Sequence, residues 1–283
     1  MTSTAIEQYV RPASVEEAWA VLVERGAAAR PIGGGIDIGL HPTSGLSTLI
    51  DLDRLALSYL RDEDGLAIGA GTTFTEILES PHTEKYANGI LGEVLQKVAS
   101  PLQRNLATIG GTLGSAHPWS DVVPALLVLD ARLRVYDGQS REISLVEYLT
   151  ARATGDRPLI IEIRLPVKSR ASAGAFEKYS STGFDVATLN CACYAAIDAG
   201  RCQTIRIAVG GTPSLATRCL TAEQSPIGAR LDDQMIETVA GVVAEGIDAR
   251  DDRRASAAYR RHLAGVGVSR CLKQIVGRLE TMT

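Results

Sequence analysis

Two glycine-rich runs, Ile32-Gly33-Gly34-Gly35-Ile36-Asp37-Ile38 and Ala107-Thr108-Ile109-Gly110-Gly111-Thr112-Leu113-Gly114, carry the residue types best suited to chemistry in this chain. Successive glycines flanked by apolar residues suit a strand-end turn whose backbone N–H groups face an anion with no Cβ in the way. Two such turns can grip one diphosphate from opposite sides, so the pair points to a bound nucleotide. Either run alone reads equally well as an ordinary tight turn. The order after Ile32 is not G-x-G-x-x-G and no G-x-x-x-x-G-K-[ST] occurs, which excludes a Rossmann fingerprint and a Walker loop.

Other reactive residue types form no comparable pattern. The five cysteines (Cys191, Cys193, Cys202, Cys219, Cys271) are odd in number, lack C-x-x-C spacing and have no histidines nearby, against a disulfide framework, a zinc site or an iron–sulfur cluster. Cys191 and Cys193 lie two apart in an apolar run and would share one face of a strand, in the core. His41, His82, His117 and His262 are scattered. His117, Ser120 and Asp121 are too close along one loop for a hydrolytic relay.

The elements that must position the glycine runs are mostly α/β at first. Ser14 with Glu17 three residues on reads as a capping box opening a helix to Arg25, with Val15, Ala18, Trp19, Leu22 and Val23 on one face. Ala29 to Ile32 reads as a strand feeding the first run, with further strands at Thr48–Asp51 and Gly65–Gly69. Thr75–Glu79 and Ile90–Ala99 read as helices, the second closed by Ser100-Pro101 just before the second run. Asp121–Leu129 suggests a helix with Pro124 in its first turn, and Arg132–Tyr136 and Leu159–Leu165 suggest strands. The stretch Pro166–Ala173 lacks periodicity and marks a boundary, giving domains 1–170 and 171–283. Beyond it, Ala187–Asp198 and Thr204–Val209 read as a hairpin turning at Asp198-Ala199-Gly200, and Asp232–Glu245 and Ala255–Leu279 as closing helices.

At 283 residues with 45% hydrophobic and 22% charged residues, the chain is long enough for two cores. A net charge of −4 argues against nucleic acid as a partner. The pairs Arg253-Arg254 and Arg260-Arg261, interleaved with Asp248, Asp251 and Asp252, read as a solvated or subunit-facing helix surface. Met1-Thr2-Ser3-Thr4 shows no secretory pattern and no segment is long enough to cross a bilayer, so a cytoplasmic protein is expected.

Four motifs in order carry a resemblance: the first glycine run; Arg104-Asn105-Leu106-Ala107-Thr108-Ile109-Gly110-Gly111-Thr112; Ala116-His117-Pro118-Trp119-Ser120-Asp121-Val122-Val123-Pro124-Ala125-Leu126-Leu127; and Asp252-Arg253-Arg254-Ala255-Ser256-Ala257-Ala258-Tyr259-Arg260-Arg261. With Phe176-Glu177-Lys178-Tyr179 and Ala208-Val209-Gly210-Gly211-Thr212-Pro213, the chain resembles the FAD-binding medium subunit of molybdenum hydroxylases, the xanthine dehydrogenase and aerobic carbon monoxide dehydrogenase family. The resemblance implies an α+β protein: a PCMH or vanillyl-alcohol-oxidase-like FAD-binding domain of two α/β subdomains, then a small domain of antiparallel sheet plus helices.

By motif position the resemblance makes Pro31, Ile32, Gly33, Gly34, Gly35, Ile36, Asp37 and Ile38 the first pyrophosphate loop. It makes Thr108, Gly110, Gly111 and Thr112 the second, with Gly114 and Ser115 continuing along the cofactor. Asp121 would accept from a ribose hydroxyl, Val98 and Ala99 would border the adenine, Ile161 would cover part of the cofactor, and Lys178 would approach the flavin. Asp121 as a helix N-cap and Lys178 as a plain surface charge are the competing readings. Thr112 stands where relatives commonly have asparagine, and Ser181-Thr182-Gly183 where they often have an arginine pair.

The implied function is electron transfer. A small partner subunit with two 2Fe-2S clusters and a large one with molybdopterin cytosine dinucleotide or a related molybdenum cofactor would join this chain in a dimer of heterotrimers. FAD here would pass electrons to an external acceptor, with no metal, no catalytic acid or base, no nucleic acid and no membrane insertion. A self-sufficient FAD oxidase and a cofactor-free scaffold of the same fold are the alternatives.

Overall fold

The computed structural model describes residues 6–40, 44–153, 155, 157–169 and 171–281. The N-terminal reading at Met1-Thr2-Ser3-Thr4, His41 and the boundary residue Arg170 lie outside the described residues. Contacts group the chain into two compact units that do not follow its linear order. The first comprises the chain through Glu79, Ser100–Ser115 and Arg132–Leu165; the second comprises Ser80–Ala99, Ala116–Ala131 and the chain from Pro166.

In the first unit a parallel sheet has the strand order Gln8–Val10, Thr48–Asp51, Ala29–Ile32, with Pro31 opposite Ile50 and Ile32 opposite Asp51. Pro31 is tolerated because its strand is at the sheet edge. The helix Val15–Arg25 packs beside it, and the Ser14 side chain accepts the Glu17 N–H at 3.2 Å. Glu17 reaches back to the Ala13 N–H at 2.7 Å, so the expected box closes one residue upstream of the cap. Val15, Ala18, Trp19, Val21 and Leu22 face a cluster with Ala29, Ile50, Leu57, Leu159 and Ile161. Val23, expected on that face, is exposed; five residues beyond Ala18 a helix has turned about 140° away.

The second sheet of this unit has the order Leu60–Asp62, Gly65–Gly69, Leu159–Pro166, Arg132–Tyr136, Ser140–Ser144. Its pairs Leu60–Asp62 with Gly65–Gly69, and Arg132–Tyr136 with both Leu159–Pro166 and Ser140–Ser144, are antiparallel. The polar edge strand Ser140–Ser144 and the short strand Gln8–Val10 had no readable sequence signal.

The second unit is built on an antiparallel sheet in the order Thr217–Arg218, Arg201–Gly210, Leu189–Asp198, Ser172–Tyr179. The hairpin turns where expected: Ala199 and Gly200 both have positive φ, 47° and 74°, as a two-residue hairpin loop requires. One face of the sheet packs on the helices Asp233–Gly246 and Ala257–Glu280 through Cys191, Cys193, Ile205 and Ile207 against Val239, Val243, Val268 and Cys271. The cysteines are free and Cys191 and Cys193 share the core face, as read. The helices Ile90–Lys97 and Val122–Val128 also pack on this sheet. Strand Ser172–Tyr179 escaped the sequence reading because Ala173, Gly174, Ala175 and Phe176 are all buried, which erases the alternation that marks a half-exposed strand.

Helix Ala257–Glu280 sits so close to the sheet that a Cβ on Gly267 would lie 2.4 Å from Cys191 Sγ. Gly267→Ala is therefore expected to cost about 1–3 kcal/mol by overpacking, read as a lower urea midpoint at unchanged m-value.

Arg260 corrects the reading of a solvated arginine surface. It is 1% exposed. Its guanidinium donates to the carbonyls of Thr188 (3.2 Å), Arg250 (2.6 Å) and Ala255 (2.9 Å) and to Asp252 Oδ1 (2.7 Å). Arg260 holds the Asp252 carboxyl down at about 2. Because that folded value lies below the carboxylate's unfolded value near 3.8, the pair's contribution is complete above about pH 5 and is lost as pH falls toward 2. Acid unfolding of Asp252→Asn is expected to lack that component.

Candidate functional site

The first unit brings the two glycine runs together. Strand Ala29–Ile32 ends at Gly33, and the chain turns through Gly35 (φ 73°) into the short helix Ile36–Leu40, which contains Asp37 and Ile38. Among the described residues, no protein acceptor takes the N–H of Gly33, Gly34, Gly35 or Ile36. Four consecutive unclaimed donors at the carboxyl end of a parallel strand form a strong anion-binding element.

The second run is not the turn that its composition suggested. Ile109–Ser115 is a helix, with Gly110, Gly111, Thr112, Gly114 and Ser115 inside it. Its first donors are spent within the protein: Ile109 N–H on Thr72 O (3.0 Å), Gly110 N–H on Ala70 O (2.9 Å), Gly111 N–H on Thr108 Oγ1 (3.1 Å) and Thr112 N–H on Thr108 O (3.0 Å). A helix can form here despite its glycines because the side chains of Ile109 and Leu113, one turn apart, are both buried. This segment therefore lies against the first run with its first donors already spent. A Cβ on Gly34 would lie 1.5 Å from Leu106 O, and one on Gly33 would lie 2.7 Å from Thr108 Oγ1. The glycines of the first run let the two segments touch.

One basic residue near these segments had no motif to announce it. Arg152, near the end of helix Leu145–Ala153, donates to Ser115 O at 2.6 Å. It lies within electrostatic reach of Arg30 and Asp37, and burial lowers its pKa. Ile161 is placed differently from its expected role. Its side chain sits in the core with Ala18, Ala29 and Ile50, and its carbonyl accepts the Ala70 N–H at 2.9 Å.

The second unit holds the remaining candidates. Val98 follows helix Ile90–Lys97, and Ala99 takes a left-handed φ of 50°, a strained conformation for a residue with a Cβ. Asp121 occupies the N-cap position of helix Val122–Val128 but makes no side-chain cap bond. Its carboxylate instead meets Lys178 Nζ at 2.8 Å, both side chains being 6% exposed. Lys178 also donates to Lys97 O at 3.0 Å, so it is no surface charge. Asn190 Nδ2 donates to Asp121 Oδ1 at 2.7 Å and to Ser120 O at 3.1 Å. Burial pushes the Asp121 carboxyl up, while the Lys178 ammonium and the Asn190 amide act against that shift. Asn190 escaped the sequence reading because a single polar residue inside an apolar strand has no local signature.

Each unit by itself holds residues that suit one part of an FAD-type dinucleotide. The Gly33–Ile36 donors match a diphosphate's charge. Lys178, with two of its three donors directed at Asp121 and Lys97 O, supplies a fixed buried cation.

Residues 4–168 match the model of the FAD binding domain in molybdopterin dehydrogenase, and residues 174–275 that of the CO dehydrogenase flavoprotein C-terminal domain. The 6-hydroxypseudooxynicotine dehydrogenase complex subunit alpha of Paenarthrobacter nicotinovorans is 32% identical over 280 residues, covering 95% of this chain and 94% of the relative. The carbon monoxide dehydrogenase medium chain of Afipia carboxidovorans is 30% identical over 285 residues, with 95% and 96% covered. A solved carbon monoxide dehydrogenase from Hydrogenophaga pseudoflava, lacking the Mo-pyranopterin moiety of its molybdenum cofactor, superposes with a TM-score of 0.90 at 26% identity, covering 98% of this chain and 99% of that one. Sequence and fold agree along both units, and the chain belongs to the FAD-binding medium subunits of molybdenum hydroxylases, the oxidoreductase family of carbon monoxide dehydrogenase and xanthine dehydrogenase.

Proposed function

We propose that this chain is the electron-transfer subunit of a heteromeric molybdenum hydroxylase, with residues 1–170 as its FAD-binding domain and 171–283 as its C-terminal domain. The observation that carries this reading is the row of unclaimed N–H donors from Gly33 to Ile36 at a strand end. When bound, FAD would supply the exchange between single electrons from 2Fe-2S clusters in a small partner subunit and an external acceptor. A large subunit carrying molybdopterin cytosine dinucleotide or a related cofactor would oxidise the substrate, in a cytoplasmic dimer of heterotrimers.

In this reading Pro31–Ile38 hold the diphosphate by backbone donors, and the Thr108–Ser115 segment walls the site and keeps those donors in place. Arg152 adds positive charge beside Ser115. Lys178, held by Asp121 and the Lys97 carbonyl, has one ammonium proton left that it would offer to a bound flavin, an electrostatic contribution that would favour negative charge there. None of these groups transfers a proton to substrate, in keeping with substrate chemistry on the large subunit.

The test is purification of the tagged chain from its native host. Flavin absorbance with co-eluting iron and molybdenum is the expected result; a colourless chain recovered alone sinks the reading. Substrate turnover by the isolated chain would favour the oxidase instead.

A further inference from the structure

Asn190 lies on strand Leu189–Asp198, fully buried, opposite Gly210 and Lys178 in the sheet register. Its amide nitrogen spends both donors on one neighbouring segment, the Ser120 carbonyl and the Asp121 carboxylate. Its carbonyl oxygen is buried with no partner among the described residues, and a Cβ on Gly210 would lie 2.5 Å from it. An unpaired buried carbonyl opposes folding, so the amide sits here at a cost that its two donated bonds must offset. Both of those bonds act on the residue pair that carries Asp121.

We propose that Asn190 is a positioning residue for the flavin site: it clamps Ser120 and Asp121 so that the Asp121 carboxylate stays ionised against Lys178 and the ammonium is aimed before cofactor arrives. The proposal rests on the flavin reading given above. Lys178 comes from strand Ser172–Tyr179 and is anchored to the Lys97 carbonyl at the end of helix Ile90–Lys97. With Asn190 donating to one carboxylate oxygen and Lys178 to the other, Asp121 has a single orientation. Removing the amide frees the carboxylate to rotate and takes away one donor that favours its charged form. The charged groups facing Asp121 are then Lys178 and Lys97; the strand Arg201–Gly210 adds backbone at Gly210.

The experiment uses the full chain in its native assembly, stripped of flavin and titrated with FAD. Asn190→Leu keeps the branched outline and removes the donors. FAD affinity is expected to fall roughly tenfold, the loss of about one hydrogen bond to a charged group. The pH at which bound FAD is released on acidification is expected to rise by about one unit, because Asp121 takes up a proton more readily. In an Asp121→Asn background the Leu substitution is expected to change neither quantity further.

A purely structural Asn190 would lower the melting temperature while leaving FAD affinity and the acid-release midpoint at wild-type values, and that result overturns the proposal. Full additivity of the two substitutions overturns it as well. A wild-type assembly that fails to bind FAD overturns the flavin reading itself, which separates the two failures. If Asn190→Leu does not fold, Asn190→Ser, which retains one short donor, serves with the same readouts and an intermediate shift.

Discussion

Gly34→Ala is expected to lower the unfolding free energy by about 3–5 kcal/mol and to abolish flavin retention, the larger end of what one methyl group does in a packed site. The added Cβ would lie 1.5 Å from the Leu106 carbonyl oxygen, a backbone atom that no rotamer change can move. Relief requires parting the two segments, which strips Thr108 and Gly110 of their fixed places and misaligns the Gly33–Ile36 donors. Gly39→Ala is the matched control. It lies five residues on, in the helix Ile36–Leu40, with nothing within 4 Å of its Cβ position, so stability is expected to be unchanged or slightly raised. Urea unfolding of both variants with flavin content measured in parallel checks the contrast. Equal stability of the two variants would show that the segments are not held in contact.

Lys178→Met is expected to be nearly as damaging for an electrostatic reason. It leaves the Asp121 carboxylate 6% exposed with only neutral donors, a loss of about 3–5 kcal/mol for a buried pair broken on one side. Burial already pushes that carboxyl up, and without the ammonium it rises further. Its folded value, already above the unfolded one, then lies further above it. The folded state binds the extra proton, so the variant's stability increases as pH falls from neutral through the raised value and declines as pH rises. Lys178→Met with Asp121→Asn removes the uncompensated charge and is expected to recover most of the stability while leaving flavin binding impaired. Unfolding measured from pH 5 to 8 distinguishes this from simple loss of packing, which would give no pH slope.

Much of this arrangement was legible from residue types. The first run's place after the strand Ala29–Ile32 followed from its glycines and the stretch before them, and the strand Gly65–Gly69 fell where its composition put it. The hairpin at Ala199-Gly200 was signalled by its turn residues, and the helix read from Asp232 starts there, with the Asp232 side chain accepting the Met235 N–H at 2.9 Å. The second run misled because glycine content argues for a turn, whereas the burial of Ile109 and Leu113 decides for a helix. Arg260 misled in the same way. Its partners at Thr188 and Arg250 come from distant or irregular chain, and charge pattern alone cannot distinguish a solvated arginine from one capped by carbonyls. Asp121 and Lys178 were each singled out, but their direct pairing depends on a sheet register that no local pattern encodes.

The interleaved order of the two compact units bears on how the protein is made. The chain passes between units five times, after residues 79, 99, 115, 131 and 165. The first unit is complete once Leu165 has left the ribosome, whereas Val122–Val128, buried at every position in the finished protein, has no sheet to cover it until Leu189–Gly210 is synthesised. During that interval an apolar helix waits without its partner, the circumstance in which nascent chains associate wrongly. A cut at the linear boundary near residue 170 would make that interval permanent. The N-terminal fragment would carry the helices Ile90–Lys97 and Val122–Val128 without their sheet, and the C-terminal fragment would keep Asp233–Gly246 and Ala257–Glu280 on its sheet but lack those two.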